Sequence, residues 1–160
     1  MRKSALAAIP LLLAAQSAVA APANTTGSGA LALAALVGAH SPAVSLKNRK
    51  ALANMLDGRL SFPYPASQKI DVKADKVTCR AGNVDISAHS CELTFGSATR
   101  NLSGRAAHEL YATLIESGVP SDGAAGSVFE SLTGLSCTID PSAVKQKDGS
   151  GAGCAFTAGP

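Results

Sequence analysis

Four cysteines downstream of a leader-like N-terminus constrain this chain more than any other feature. Cys79, Cys91, Cys137 and Cys154 are even in number, and in an oxidising compartment that implies two disulfides. Four cysteines allow three pairings. Cys79 with Cys91 and Cys137 with Cys154 is the expected one, because each pair flanks a segment that reads as a hairpin and closes a short loop. On the chain-entropy model each closure contributes about 3 kcal/mol. A zinc site is the competing reading, and the cysteines lack the C-x-x-C spacing that structural zinc sites use.

The leader sets the compartment. Arg2 and Lys3 form a basic start, Ala5 to Ala15 is an apolar run, and Ala18-Val19-Ala20 puts small residues where a signal peptidase reads. Residues 1–20 are therefore expected to be a signal peptide of bacterial type, cut before Ala21. The apolar run is short for a membrane span, which needs about 20 residues. The expectation is an exported protein of the periplasm or the medium, with no integral membrane segment in the mature chain. Residues 21–40 read as a linker and apolar N-terminal segment, and residues 41–160 as a single disulfide-stapled α+β domain.

Composition narrows the class further. With 46% hydrophobic and 16% charged residues, the chain is too apolar for disorder, and 160 residues support one core. Losing Arg2 and Lys3 reduces 14 basic residues to 12, against 11 acidic, a net of +1. A nucleic-acid binder usually carries a strongly basic face, so nucleic acid is not an expected partner. The charge is uneven: residues 47–105 carry ten basic and five acidic side chains, and residues 106–160 two and six. The expectation is that the halves pack together and leave these charges solvated.

Periodicity supplies the elements. Ala21 to Gly29 is linker by composition, and Ala30 to Val37 is rich in good helix formers, ending at Gly38. Ser41 and Pro42 are suited to start a second helix through Val44, Ala51, Leu52, Met55 and Leu56, with Gly58 as its stop. Ile70, Val72 and Ala74 alternate with Lys69, Asp71 and Lys73, the pattern of a strand with one wet face. The phase resets at Val77 and Cys79, which suggests a bulge at Asp75 and Lys76. Cys91, Leu93 and Phe95 alternate again. Gly104 to Ser117, capped by Ser103, presents Ala107, Leu110, Tyr111, Leu114 and Ile115 as an apolar stripe. A third helix is expected from Ser121 through Val128, Phe129 and Leu132 to Gly134. Leu135, Cys137 and Ile139 follow as a strand, then a polar loop from Pro141 to Gly153 and a last strand at Cys154 to Thr157. The fold class expected is α+β: an antiparallel sheet packed by helices.

There are signs of duplicated helix–strand–strand units. Cys91 to Gly96 and Cys154 to Gly159 both fit C-x-x-T-x-G, and Leu56-Asp57-Gly58 is echoed by Leu132-Thr133-Gly134. In outline the chain resembles the duplicated disulfide modules of secreted beta-lactamase inhibitory proteins. That resemblance rests on cysteine spacing alone and carries no residue across.

Chemistry is sparsely marked. His40, His89 and His108 are scattered, and no H-E-x-x-H or G-x-S-x-G motif is present. The even cysteine count leaves no thiol nucleophile. Asp71 and Asp75 lie among lysines that favour ionised carboxylates, a poor setting for a general acid. Lys47, Arg49 and Lys50 read as a solvated helix face. Gly123-Ala124-Ala125-Gly126 opens the expected third helix but lacks the lysine of a phosphate loop. Phe62-Pro63-Tyr64-Pro65 is stiff and partly apolar, so Phe62 and Tyr64 are the candidate binding residues, the alternative being a plain connector plugging the core. No cofactor or metal is expected. The function expected is a small non-catalytic binding or inhibitory module meeting a protein or a small envelope ligand. The alternatives are a small hydrolase with a site assembled by the fold, and a structural envelope protein.

Overall fold

The structure is a computed structural model and describes residues 20–58, 68–82, 85–119, 127–144 and 149–159. Its strands are β1 (Ala21–Thr26), β2 (Ile70–Gly82), β3 (Ser90–Phe95), β4 (Ala98–Ser103), β5 (Ser127–Ile139) and β6 (Ala152–Ala158). Its helices are α1 (Gly27–Gly38), α2 (Leu46–Leu56) and α3 (Gly104–Glu116), with one 3-10 turn at Ile86–Ala88. The strands form one antiparallel sheet in the order β1-β6-β5-β2-β3-β4, and the three helices pack on it. The fold is α+β, as the alternation of the strands and the single stripe of α3 require.

Both disulfides form as the hairpins dictate. Cys79 is the cross-strand partner of Cys91 in β2 and β3, and Cys137 of Cys154 in β5 and β6. All four are buried. Among the described residues no cysteine is free.

The apolar helix α1 is central. Its sequence GSGALALAALVG has no charge and no polar stripe, and a helix that is apolar all round must be surrounded. It touches α2, α3 and four of the strands. Ala30, Leu33, Ala34 and Val37 have no accessible surface. A Cβ on Gly38 would lie 3.0 Å from Leu52 Cδ1 and 3.2 Å from Val72 Cγ2, so α1 ends hard against α2 and β2. Leu110 and Leu114 of α3 are fully buried beside it. Each such leucine contributes about 1.5–3 kcal/mol by leaving water. Ile115, assigned to the same stripe from sequence, is 46% exposed.

Three sequence expectations need correction. Residues 21–26 are not linker but strand β1, paired with β6 along its whole length. The cap of α2 is Ser45, whose hydroxyl accepts from the Asn48 N–H at 3.2 Å, while Ser41 is buried in the preceding turn. No helix runs to Gly134: Ser127–Ile139 is strand β5, held against every residue from Ile70 to Gly82 except at Asp75. Tertiary pairing overrides a spacing that suits either element. The phase of β2 resets where the sequence puts it: Asp75 and Lys76 are both exposed between the buried Ala74 and Val77, and Asp75 is left out of the pairing with β5. β2 keeps one register with β5 on either side of that point, and β5 in turn shifts register against β6 between Thr133 and Ser136. Gly134, with φ of 61°, supplies the left-handed backbone at that bulge.

The chain runs through the same path twice. β1–α1–β2–β3 and β4–α3–β5–β6 exchange places about an axis between β2 and β5, and the sheet order reads the same after the exchange. Residues follow suit. Cys79 and Cys91 correspond to Cys137 and Cys154. Cys91 faces Leu102 across β4, and Cys154 faces Thr25 across β1. Asn24, Gly27, Ala30 and Leu33 then match Asn101, Gly104, Ala107 and Leu110. Gly27 and Gly104 both have positive φ, 69° and 60°, where strand turns into helix. The C-x-x-T-x-G segments occupy corresponding places in β3 and β6. The Leu-x-Gly pair does not, since Gly58 ends α2 and Gly134 lies within β5. The helix α2 belongs to the first half only.

Candidate functional site

Phe62 and Tyr64 lie outside the described residues, as does Gly123-Ala124-Ala125-Gly126. The candidate site within the described residues is a groove on the sheet. In β2, Val77, Cys79 and Ala81 turn inward, so Lys76, Thr78 and Arg80 turn outward. In β3, Cys91 and Leu93 turn inward, leaving Ser90 and Glu92 outward. Thr78 faces Glu92 and Arg80 faces Ser90 across the ladder, and Glu92 faces Asn101 of β4. These residues, with Leu102 and Ser103, line an open groove of about 630 Å³. Its surface offers two cations, one carboxylate, hydroxyls and an amide, and among the described residues its lining contains no aromatic ring.

A second, smaller groove of about 330 Å³ lies over β1, β6 and β5. It is lined by Asn24, Thr25, Thr26, Ser136, Gly153, Cys154 and Ala155. Each of these corresponds, under the exchange of halves, to a residue of the first groove: Asn101, Leu102, Ser103, Thr78, Ser90, Cys91 and Glu92. The two grooves are the same place in the two halves. The difference is charge. Lys76, Arg80 and Glu92 have Gly134, Thr138 and Ala155 as counterparts.

The histidines divide two against one. His89 follows the 3-10 turn, which Asp85 caps by accepting the Ser87 N–H at 2.9 Å. That turn brings the buried His89 against α3, where its Nδ1 lies 3.2 Å from Nδ1 of His108. One of the two nitrogens donates and the other accepts. Tyr111 packs edge-on to the His89 ring, with centroids 5.5 Å apart. His40 stands apart after α1. Its pKa is lowered by burial first, and then by the charges of Arg49 and Arg100.

The remaining candidates are structural. Arg49 donates from Nε to the Val44 carbonyl at 2.9 Å and from its terminal nitrogen to the Ser41 carbonyl at 2.6 Å. It clamps the turn before α2, whereas Lys47 and Lys50 are exposed. Asp71 accepts from the Thr138 hydroxyl at 2.9 Å, and Asp75 accepts from the Gly96 N–H. Arg105 and Glu109 form an exposed ion pair at 2.9 Å along α3, worth little in water. Among the described residues no three His, Cys, Asp or Glu side chains gather to hold a metal. No described helix is long and apolar enough to cross a membrane.

Sequence reasoning passed over the groove because its members look like the wet side of ordinary strands. The C-x-x-T-x-G repeat held the signal: its second position sets Glu92 against Ala155. No family model, curated protein or solved structure matches this chain.

Proposed function

We propose that the protein is exported and acts as a small non-catalytic binding or inhibitory module in the periplasm or the medium. Its partner meets the outer side of β2, β3 and β4. The observation that carries this reading is the 630 Å³ groove itself, open to solvent and lined with charged groups, hydroxyls and an amide. A broad polar groove on a disulfide-stapled sheet is rigid before binding, which lowers the entropy lost on association. The two disulfides suit the oxidising compartment that the leader implies.

The twin grooves furnish the test. Glu92→Trp fills the first groove and Ala155→Trp the corresponding place in the second. Both positions are exposed, so both variants fold. Partners are captured from the native periplasm or medium with each variant and with the unaltered protein. The expected result is a partner held by the unaltered protein and by Ala155→Trp but lost by Glu92→Trp. A partner that Glu92→Trp retains would remove this groove from the function.

A further inference from the structure

The turn that leads into β3 meets helix α3, and the two come together at their histidines. The His89 carbonyl accepts the Gly104 N–H at 3.0 Å, so the residue before β3 is tied to the first residue of α3. One turn further along the helix, His108 brings its Nδ1 to 3.2 Å from Nδ1 of the buried His89. The Tyr111 ring packs edge-on to His89 and helps to hold its orientation. The two rings are thus placed by the fold, with the same nitrogen of each turned toward the other.

The arrangement is a bent hydrogen bond and a well-formed chelate. A straight N–H···N bond of this length would hold the ring centroids about 5.5 Å apart. They are 4.8 Å apart, with the ring planes tilted by 58°. Zinc binds imidazole nitrogen at about 2.0–2.1 Å. An ion at that distance on both ring axes sees nitrogens 3.2 Å apart at about 103°, close to the tetrahedral angle. The same construction puts the centroids about 5.0 Å apart, near the 4.8 Å found. The surrounding charge agrees. Asp85, in the turn before His89, is an exposed carboxylate that interacts electrostatically with that ring. On α3 the neighbouring Arg105 is offset by Glu109 at 2.9 Å.

We infer that His89 and His108 chelate a divalent transition-metal ion through their two Nδ1 atoms, Zn2+ being the ion that the angle fits best. The hydrogen bond between the rings gives way on binding. The proton on one Nδ1 passes through water to Nε2 of the same ring, so both rings stay neutral and no proton is released. Among the described residues no third His, Cys, Asp or Glu joins them, and water fills the remaining positions of the ion. A hard cation such as Mg2+, which takes oxygen ligands, is not held. The bound ion pins the 3-10 turn to α3. The inference stands independently of the groove and its partner.

The test uses the disulfide-intact protein, without a histidine tag and labelled with 15N, and Zn2+ alone as the probe at pH 7.5. Long-range 1H–15N spectra report each imidazole nitrogen. The Nδ1 signals of His89 and His108 should shift together, saturate at one ion per chain and return on adding EDTA, while those of His40 stay in place. Zn2+ should raise the melting temperature, and Mg2+ at the same concentration should not. His108→Gln, with a dispersed amide spectrum as proof of folding, should weaken Zn2+ binding at least tenfold and remove the thermal shift. His40→Gln should change neither. The imidazole spectra are read on the unaltered protein, so they decide the matter even where His108→Gln does not fold. No saturable shift up to about 1 mM Zn2+, a shift of one ring alone, or an affinity that survives His108→Gln overturns the inference.

Discussion

Cys91 Sγ lies 3.3 Å from the carbonyl oxygen of Ala107, and at the corresponding place in the other half Cys154 Sγ lies 3.4 Å from that of Ala30. Each disulfide is thus wedged between its hairpin and the first turns of a helix, in van der Waals contact with backbone. The bonds couple strand to strand and also fix the seat on which α3 and α1 rest.

Removing either disulfide should accordingly cost about 2–4 kcal/mol. Paired alanine substitutions, Cys79→Ala with Cys91→Ala or Cys137→Ala with Cys154→Ala, should lower the urea midpoint by similar amounts. Peptide mapping of the unreduced protein should recover only the Cys79–Cys91 and Cys137–Cys154 links. A peptide joining Cys79 to Cys137 would contradict the register of both hairpins.

Acidification should weaken the fold through His40. Its folded pKa lies below the unfolded value of 6.5. Above pH 6.5 the imidazole is neutral in both states and takes nothing from stability. Below 6.5 the unfolded chain binds the proton first, so stability falls until the folded value is reached, then levels off. His40→Gln removes this component. Measured by urea unfolding at pH 7.5, 6.0 and 5.0, the variant should gain on the unaltered protein as pH falls.

His108→Ala leaves the Nδ1 of buried His89 without its ring partner. An unsatisfied buried polar group costs about 1–3 kcal/mol, so the melting temperature should fall. His40→Ala removes no such partner and should cost less at pH 7.5. Equal losses from the two substitutions would mean that the His89–His108 contact contributes nothing.

Two glycines with similar backbone should respond differently. Gly104 has φ of 60° and nothing within 4 Å of an added Cβ, so alanine there costs only the conformational strain of about 1 kcal/mol. Gly149 has φ of 65°, and an added Cβ would collide with the backbone of Gly27 and Ser28. Gly149→Ala should cost at least about 1–3 kcal/mol more, since neither backbone can yield without moving the start of α1. Thermal melts of the two variants side by side decide it.

The parts of the fold visible in the sequence are those where burial is written as period. Val72 with Ala74, Cys91 with Leu93, and Leu110 with Leu114 announce their strands and helix because one side of each is packed. The edge strands do not. Pro22, Asn24 and Thr26 in β1, or Arg100 and Asn101 in β4, face water and show no alternation to read. Val128, Phe129 and Leu132 fit a helix as well as a strand, and only pairing with β2 decides between them. Gly134 reads as a helix stop until the bulge explains it. The groove was hidden for a related reason. Lys76 and Glu92 are ordinary surface residues taken singly, and become neighbours in one groove only when the register of β2 with β3 sets them side by side.

The pairing of β1 with β6 has a consequence for how the molecule comes into being. A chain synthesised N-terminus first delivers β1 with no partner, and its mate β6 emerges only after every other described strand. The two central strands likewise belong to different halves, so neither half can complete its sheet alone. Long-range pairing of this kind makes folding a late and comparatively slow event. Until Ala158 has emerged, the open strand edges stand exposed to other unfinished chains. A cut just before β6 would undo more than its own length: it strands Cys137 without a partner, bares β5 and releases β1.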